Sequence, residues 1–185
     1  NLVLDCNSVF TTSSEIYLLD ALKTINKDFG FDNMSVTYAR GVIKDDSLKN
    51  VSKNRYKEIN KFLEKREKNK EKRLLYPLWR GVNSVSRENL MRTVFDDEYV
   101  TSCVAGRKLL VVSETGEVQP CEILGKSIGN LRNHDWDLKK LLKENNVNKM
   151  QKWIKETKCK CSFECALAAN VVWKPKNYPK VISSA

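Results

Sequence analysis

Apolar and polar residues alternate along "NLVLDCNSVF" (1–10), with Leu2, Leu4 and Cys6 on one face and Val3, Asp5 and Asn7 on the other. That period predicts a β-strand. "TSSE" follows, with Thr12 three residues ahead of Glu15 in the capping-box pattern, and Ile16, Leu19, Leu22 and Ile25 then recur at helical spacing until Gly30. In "NMSVTYARG" (33–41) Met34, Val36 and Tyr38 alternate with Ser35, Thr37 and Ala39, a second strand. A helix comes next within 51–75, where Tyr56, Ile59, Phe62 and Leu63 form an apolar stripe. Strand, helix, strand, helix is the βαβ order of a parallel sheet, so the fold class is α/β. Two strands are too few for a complete sheet, and the missing ones are expected upstream. Asn1, not Met, leads directly into the first strand, so the chain is expected to be the C-terminal part of something longer.

The pattern changes near residue 80. "YPLWRGVNS" (76–84) carries Pro77 and Gly81 and reads as a junction, after which "SRENLMRTVF" is a short amphipathic helix capped by Ser86. From Cys103 onward, "RKLLVVSETGEVQPCEIL" gives an apolar strand, a turn centred on Thr115-Gly116 and a second strand closed by Pro120, a β-hairpin. "IGNLRNHDWDLKKLL" and "VNKMQKWIKETK" read as two short helices leading to "KCKCSFEC".

Composition alters this picture only in places. The chain has 185 residues and 41% hydrophobic residues, enough for a core without staples, and its longest apolar runs fall far short of the roughly 20 residues that span a bilayer. Its net charge of +10 raises the question of a nucleic-acid partner. Residues 51–75 alone hold ten Lys/Arg against four Glu, a surplus of six, so most of the excess is one helix. Glu64 with Lys68 and Glu67 with Lys70 suit pairing along a solvated face. The stretch lacks a stacking platform for bases, which argues against RNA or DNA. No signal segment opens the chain, so the six cysteines are read as reduced and the protein as cytoplasmic.

Cys103 precedes the hairpin and Cys121 ends it, so the two thiols converge if the "VAGR" loop folds back. Cys159, Cys161 and Cys165 arrive together from the C-terminal helices, and five thiols can meet at one place. Thiolates select iron–sulfur clusters, zinc or copper(I). Zinc prefers knuckles with two residues between cysteines, which neither C-x-C nor C-x3-C supplies. A 4Fe-4S cluster is wider than one ion and suits mixed spacings from distant segments. The residues alone leave three readings open: iron–sulfur, zinc, and unliganded core cysteines.

The stretch "CVAGRKLLVVSETGEVQPCEILGKSIGNLR", followed by "CKCSFEC", resembles the C-terminal SPASM/twitch extension of radical SAM proteins, with Gly116 and Cys121 in its G-x4-C step. The resemblance covers residues 103–170. It implies an auxiliary 4Fe-4S cluster held by Cys103, Cys121 and two of Cys159, Cys161 and Cys165, with Cys161 and Cys165 favoured and Cys159 an alternate ligand or bystander. No cysteine follows Cys165, so the single-cluster twitch arrangement matches better than the full pattern with two auxiliary clusters. Residues 1–80 then look like the last βα units of the partial (β/α) barrel, and 81–185 like a small α+β twitch/SPASM domain. The C-x3-C-x2-C loop that holds the cluster cleaving S-adenosylmethionine is absent here. The resemblance therefore implies that this cluster and S-adenosylmethionine sit in an N-terminal radical SAM core outside this sequence, and the fragment is expected to be inactive without it.

In such a barrel Asp5 and Asn7 would face cofactor or substrate, and Arg40 would border the opening at the end of its strand. Cys6 is expected in the core and His134 in a surface loop or helix cap. Trp153, Phe163 and Trp173 flank the cysteine group and are expected to shield it from water. Two functions compete. One is a radical SAM oxidoreductase part whose cluster relays electrons or binds substrate, with a peptide or small-molecule substrate and an electron-donor protein as partners. The other is a zinc-stabilised basic module that docks RNA or an acidic protein.

Overall fold

Strand β1 (Asp5–Phe10) pairs in parallel with β2 (Asn33–Tyr38), in a register running from Asp5 opposite Asn33 to Phe10 opposite Tyr38. The computed structural model describes residues 2–69 and 75–185. Helix α1 (Leu18–Asp28) crosses between the strands, and α2 (Lys53–Lys68) follows. The chain is mixed α/β, as its pattern predicts. Met34, Val36 and Tyr38 are buried on one face of β2, and Phe10 of β1 stacks at 5.6 Å on Tyr56 of α2, whose apolar stripe continues through Ile59 and Leu63.

Several local expectations change. Leu2 and Leu4 are exposed and precede the strand, and Cys6 is half-buried. The capping box does not form, because Ser14 Oγ donates to the Val9 carbonyl and turns the chain, so that α1 begins only at Leu18. Glu15 instead accepts from the Ser52 amide at 3.2 Å, and Ser52 is the N-cap of α2. Glu67, expected on the solvated face, is buried, and Lys70 lies outside the described residues. Lys57, Lys61, Lys65 and Lys68 are exposed, as a solvated helix face requires, whereas half-buried Arg66 donates to Asn26 Oδ1 at 2.6 Å and to the Phe31 carbonyl.

The chain divides into two compact units, Asn1–Arg80 and Gly81–Ala185, and the division falls inside helix α3 (Tyr76–Phe95). The expected junction is therefore continuous helix. Pro77 sits in the first turn, where no amide hydrogen bond is needed. Ser86 does not cap; its hydroxyl donates back to the Val82 carbonyl at 2.7 Å. Gly81 serves close packing, since a Cβ there would lie 2.2 Å from the Val181 carbonyl oxygen of α7 (Tyr178–Ser183). Gly81→Ala gains about 1 kcal/mol of helix propensity. Overpacking against backbone costs about 1–3 kcal/mol. The clash wins, and the expected result is a lower denaturant midpoint; a higher one would contradict the close approach.

In the second unit β3 (Val111–Val112), β4 (Glu117–Gln119) and β5 (Gly129–Asn130) form an antiparallel sheet in that order. The β3–β4 hairpin is the one the sequence predicts. Its turn closes through the Gly116 amide donating to the Ser113 carbonyl at 3.0 Å, with Gly116 at φ +84°. The expected helix over "IGNLRNHDWDLKKLL" breaks into β5, a 3-10 turn (Leu131–His134) and α4 (Leu138–Leu141). Asp135 and Trp136 both adopt positive φ, and Asp137 restarts the helix by accepting from the Lys139 and Lys140 amides. Helices α5 (Asn145–Glu156) and α6 (Glu164–Val172) complete this unit with α7. Among the described residues no helix is long and apolar enough to cross a membrane.

Candidate metal centre

Three separate segments bring their thiols to one apolar cluster. The first is the loop after α3. Arg107 and Lys108 donate their amides to the Val104 carbonyl, Gly106 turns at φ +76°, and its amide reaches the Leu109 carbonyl at 2.9 Å. The "VAGR" loop thus folds back on itself. Gln151 of α5 fixes it by donating to the Gly106 carbonyl at 2.8 Å, and buried Asn170 of α6 accepts from the Val104 amide at 2.8 Å. Cys103 is held next to these anchors and is 9% exposed.

The second segment is the end of the hairpin, where Cys121 follows Pro120 and is 4% exposed. The third follows α5. Lys158 adopts φ +48°, the Cys159 amide donates back to the Ile154 carbonyl at 3.1 Å, and the chain reverses through Cys161 into α6. Cys103, Cys121, Ala105, Ile154, Phe163 and Ala166 form one buried cluster, against which Cys159, Cys161 and Trp153 pack. Cys165, favoured with Cys161 from the sequence, is exposed on α6, whereas Cys159, expected as an alternate ligand or a bystander, lies against the cluster. The structure groups Cys159 with Cys161, so the ligand pair proposed below differs from the sequence expectation.

Burial is the main cause that pushes the Cys159 and Cys161 thiols up to about 11, and Cys103 and Cys121 add to both shifts. Lys126 opposes the shift at Cys159 and stacks on Trp153 at 3.9 Å, and the Phe163 amide donates to Cys161 Sγ at 3.5 Å. From 9.0 to about 11 the thiolate fraction at a given pH falls about a hundredfold. Alkylation of the metal-free chain, mapped by mass spectrometry at pH 8, is expected to label exposed Cys165 well before Cys161; the reverse order would contradict the packing.

The same shifts set a pH dependence. A thiol whose folded pKa is raised contributes stability below its unfolded value, lost as pH rises from about 9 towards about 11. Lys174 works the other way: burial lowers it from 10.5 to about 8, so its contribution rises over that interval. Two thiols against one amine leave a net loss above pH 9. The denaturant midpoint of the metal-free chain should fall from pH 9 to 11, and a flat profile would count against buried thiols.

Trp153 and Phe163 do cover the thiols, but Trp173 is 53% exposed, with Lys108 stacked on it at 4.5 Å. His134 is half-buried, with Nε2 3.4 Å from Glu144 Oε1, and does not sit in an open loop. In the first unit Asp5 accepts from Asn33 at 2.7 Å, and Asn7 accepts from Ser35 and Thr37 at 3.1 Å each. These form a polar ladder on the exposed face of the parallel pair. Arg40 is half-buried just beyond β2. The sequence reading missed Asn170 and Lys174. Asn170 gave a signal, as a lone polar side chain in the otherwise apolar "ALAANVV"; Lys174 gave none.

The four thiols in this cluster are soft donors, the kind that iron–sulfur groups, zinc and copper(I) take. Among the described residues no three His, Cys, Asp or Glu side chains are grouped to hold one metal ion. No family model, curated protein or solved structure matches this chain.

Proposed function

We propose that Cys103, Cys121, Cys159 and Cys161 hold an auxiliary 4Fe-4S cluster, in a chain that is the C-terminal part of a radical SAM oxidoreductase. The observation that carries this reading is the convergence of four thiols from three segments on one apolar cluster. Cys165 is the reserve ligand. A cluster with four cysteine ligands supplies one-electron transfer; an open iron would instead bind substrate. The chain's own contribution is to hold the ligands in place through Asn170 and Gln151 and to exclude water with Phe163 and Trp153.

On this reading the first unit, 1–80, is the closing βα part of the partial barrel, and the second, 81–185, is the twitch-type domain. Asp5, Asn7 and Arg40 would line the side that meets S-adenosylmethionine or substrate, and the ladder Asp5–Asn33 and Asn7–Ser35/Thr37 supports this by keeping that face polar. The remaining partners are the N-terminal core with its own cluster, a peptide or small-molecule substrate, and a cytoplasmic electron donor.

The test is parallel anaerobic loading of the chain with iron plus sulfide and with zinc. The cluster reading expects a brown protein with about four iron and four sulfide per chain, which gives a paramagnetic signal on reduction. A colourless protein holding one zinc per chain would replace it with the zinc-stabilised basic module, docking RNA or an acidic protein. Uptake of neither metal leaves the thiols as small apolar core groups.

A further inference from the structure

Lys174 stands just beyond α6, at the N-cap of the 3-10 turn Pro175–Asn177. Its ammonium donates to Thr101 Oγ1 at 2.7 Å, to Ser102 Oγ at 2.6 Å and to the Ser102 carbonyl. An ammonium has three donors, so these oxygens saturate it. All three are neutral, and among the described residues no carboxylate pairs with Lys174. Burial is the main cause that depresses it, Lys176 and Arg107 add to the depression, and the Cys103 thiol opposes it. A partly buried cation without a counter-charge is costly, and proteins normally answer it with a carboxylate. Here the residue that follows the acceptors is Cys103.

We infer that Lys174 is the fixed counter-charge, and a positioning residue, for an anionic metal–thiolate group held at Cys103. The inference rests on the cluster reading above. Four thiolates leave an iron–sulfur group with net negative charge, which grows on reduction, so a nearby cation favours the reduced form and raises the potential. The positional part comes from the C-terminal element as a whole. Lys174 grips the Ser102 carbonyl and Asn170 grips the Val104 amide, one on each side of Cys103.

Charge and grip are separable by substitution. In the reconstituted chain Lys174→Met removes the charge, Lys174→Arg keeps it, and Thr101→Val removes one acceptor while leaving the ammonium. The expected result is that Lys174→Met lowers the reduced-to-oxidised ratio at a fixed potential about tenfold, which is 59 mV in midpoint for one electron. Lys174→Arg and Thr101→Val should stay near wild type. Should Lys174→Met not fold, Lys174→Gln keeps hydrogen bonding without the charge and is expected to show the same drop. Equal midpoints for wild type and the uncharged variants at full iron load would overturn the inference and leave the cluster reading intact. A drop in Thr101→Val as large as in Lys174→Met would also overturn it, in favour of a purely structural clamp. Wild-type chain that takes up no iron would remove the cluster reading itself, and the inference with it.

Discussion

Cys103→Ala or Cys121→Ala in the 185-residue chain is expected to abolish iron retention, whereas Cys165→Ala should keep it near the wild-type level. Cys103 and Cys121 are the two buried thiols and come from segments that no other cysteine can replace. Cys159→Ala and Cys161→Ala are expected to lose most of the iron, because both thiols pack on that pair, while Cys165 is exposed on α6. The loss should carry a structural cost. Metal-site formation contributes directly to folding, so the cluster-free variants should become more protease-sensitive over 103–172. Iron measured in each purified variant decides the ligand set. If Cys165→Ala loses iron and Cys159→Ala does not, the fourth ligand is Cys165, the pairing with Cys161 that the sequence favours.

The second large effect is packing. Phe163 is 4% exposed, shares the buried cluster with Cys103 and Cys121, and precedes α6, whose first turn closes through the Leu167 amide on the Phe163 carbonyl at 2.9 Å. Phe163→Ala removes a full ring from a site bounded by the anchored loop and by α5, which has little freedom to collapse. About 3–5 kcal/mol of destabilisation is expected. Domain stabilities are typically only 5–15 kcal/mol, so this is a large share of the whole. Phe163→Leu, which keeps most of the apolar volume, should cost well under half as much. The same cavity admits water, so iron in Phe163→Ala should be lost faster in air than in wild type. Denaturant midpoints and the time course of iron loss measure the two effects, and a wild-type midpoint for Phe163→Ala would remove Phe163 from the core.

Where local pattern decides structure, the sequence is readable. The alternation of Met34, Val36 and Tyr38, the stripe on α2 and the turn at Gly116 all appear as the residues predict, because each depends on neighbours within a few positions. Where a distant contact decides, the reading fails. Gly81 looks like a helix break, yet it is a contact point for Val181, a hundred positions away in the chain. Glu15 looks like the second half of a capping box, yet it serves the start of α2. "IGNLRN" has helical spacing, but the free edge of β4 claims Gly129 and Asn130 for a third strand.

The candidate site divides along the same line. Spacing alone singled out Cys103, Cys121 and the C-terminal trio, since soft ligands at uneven intervals are visible in any alphabet of residues. Which of the trio turns inward depends on Lys158 at positive φ and on the Cys159 amide reaching Ile154, neither of which has a sequence mark. Lys174 was invisible for a related reason. One lysine among many basic residues is set apart only by its three acceptors, more than seventy positions upstream, which the fold brings to it.

Counting iron and acid-labile sulfide in the chain purified without exposure to air, before any reconstitution, tests the central claim most directly. The account predicts about four of each per chain, lost together in Cys103→Ala. Full-length, folded chain with neither iron nor sulfide, and none taken up on anaerobic loading, would contradict it.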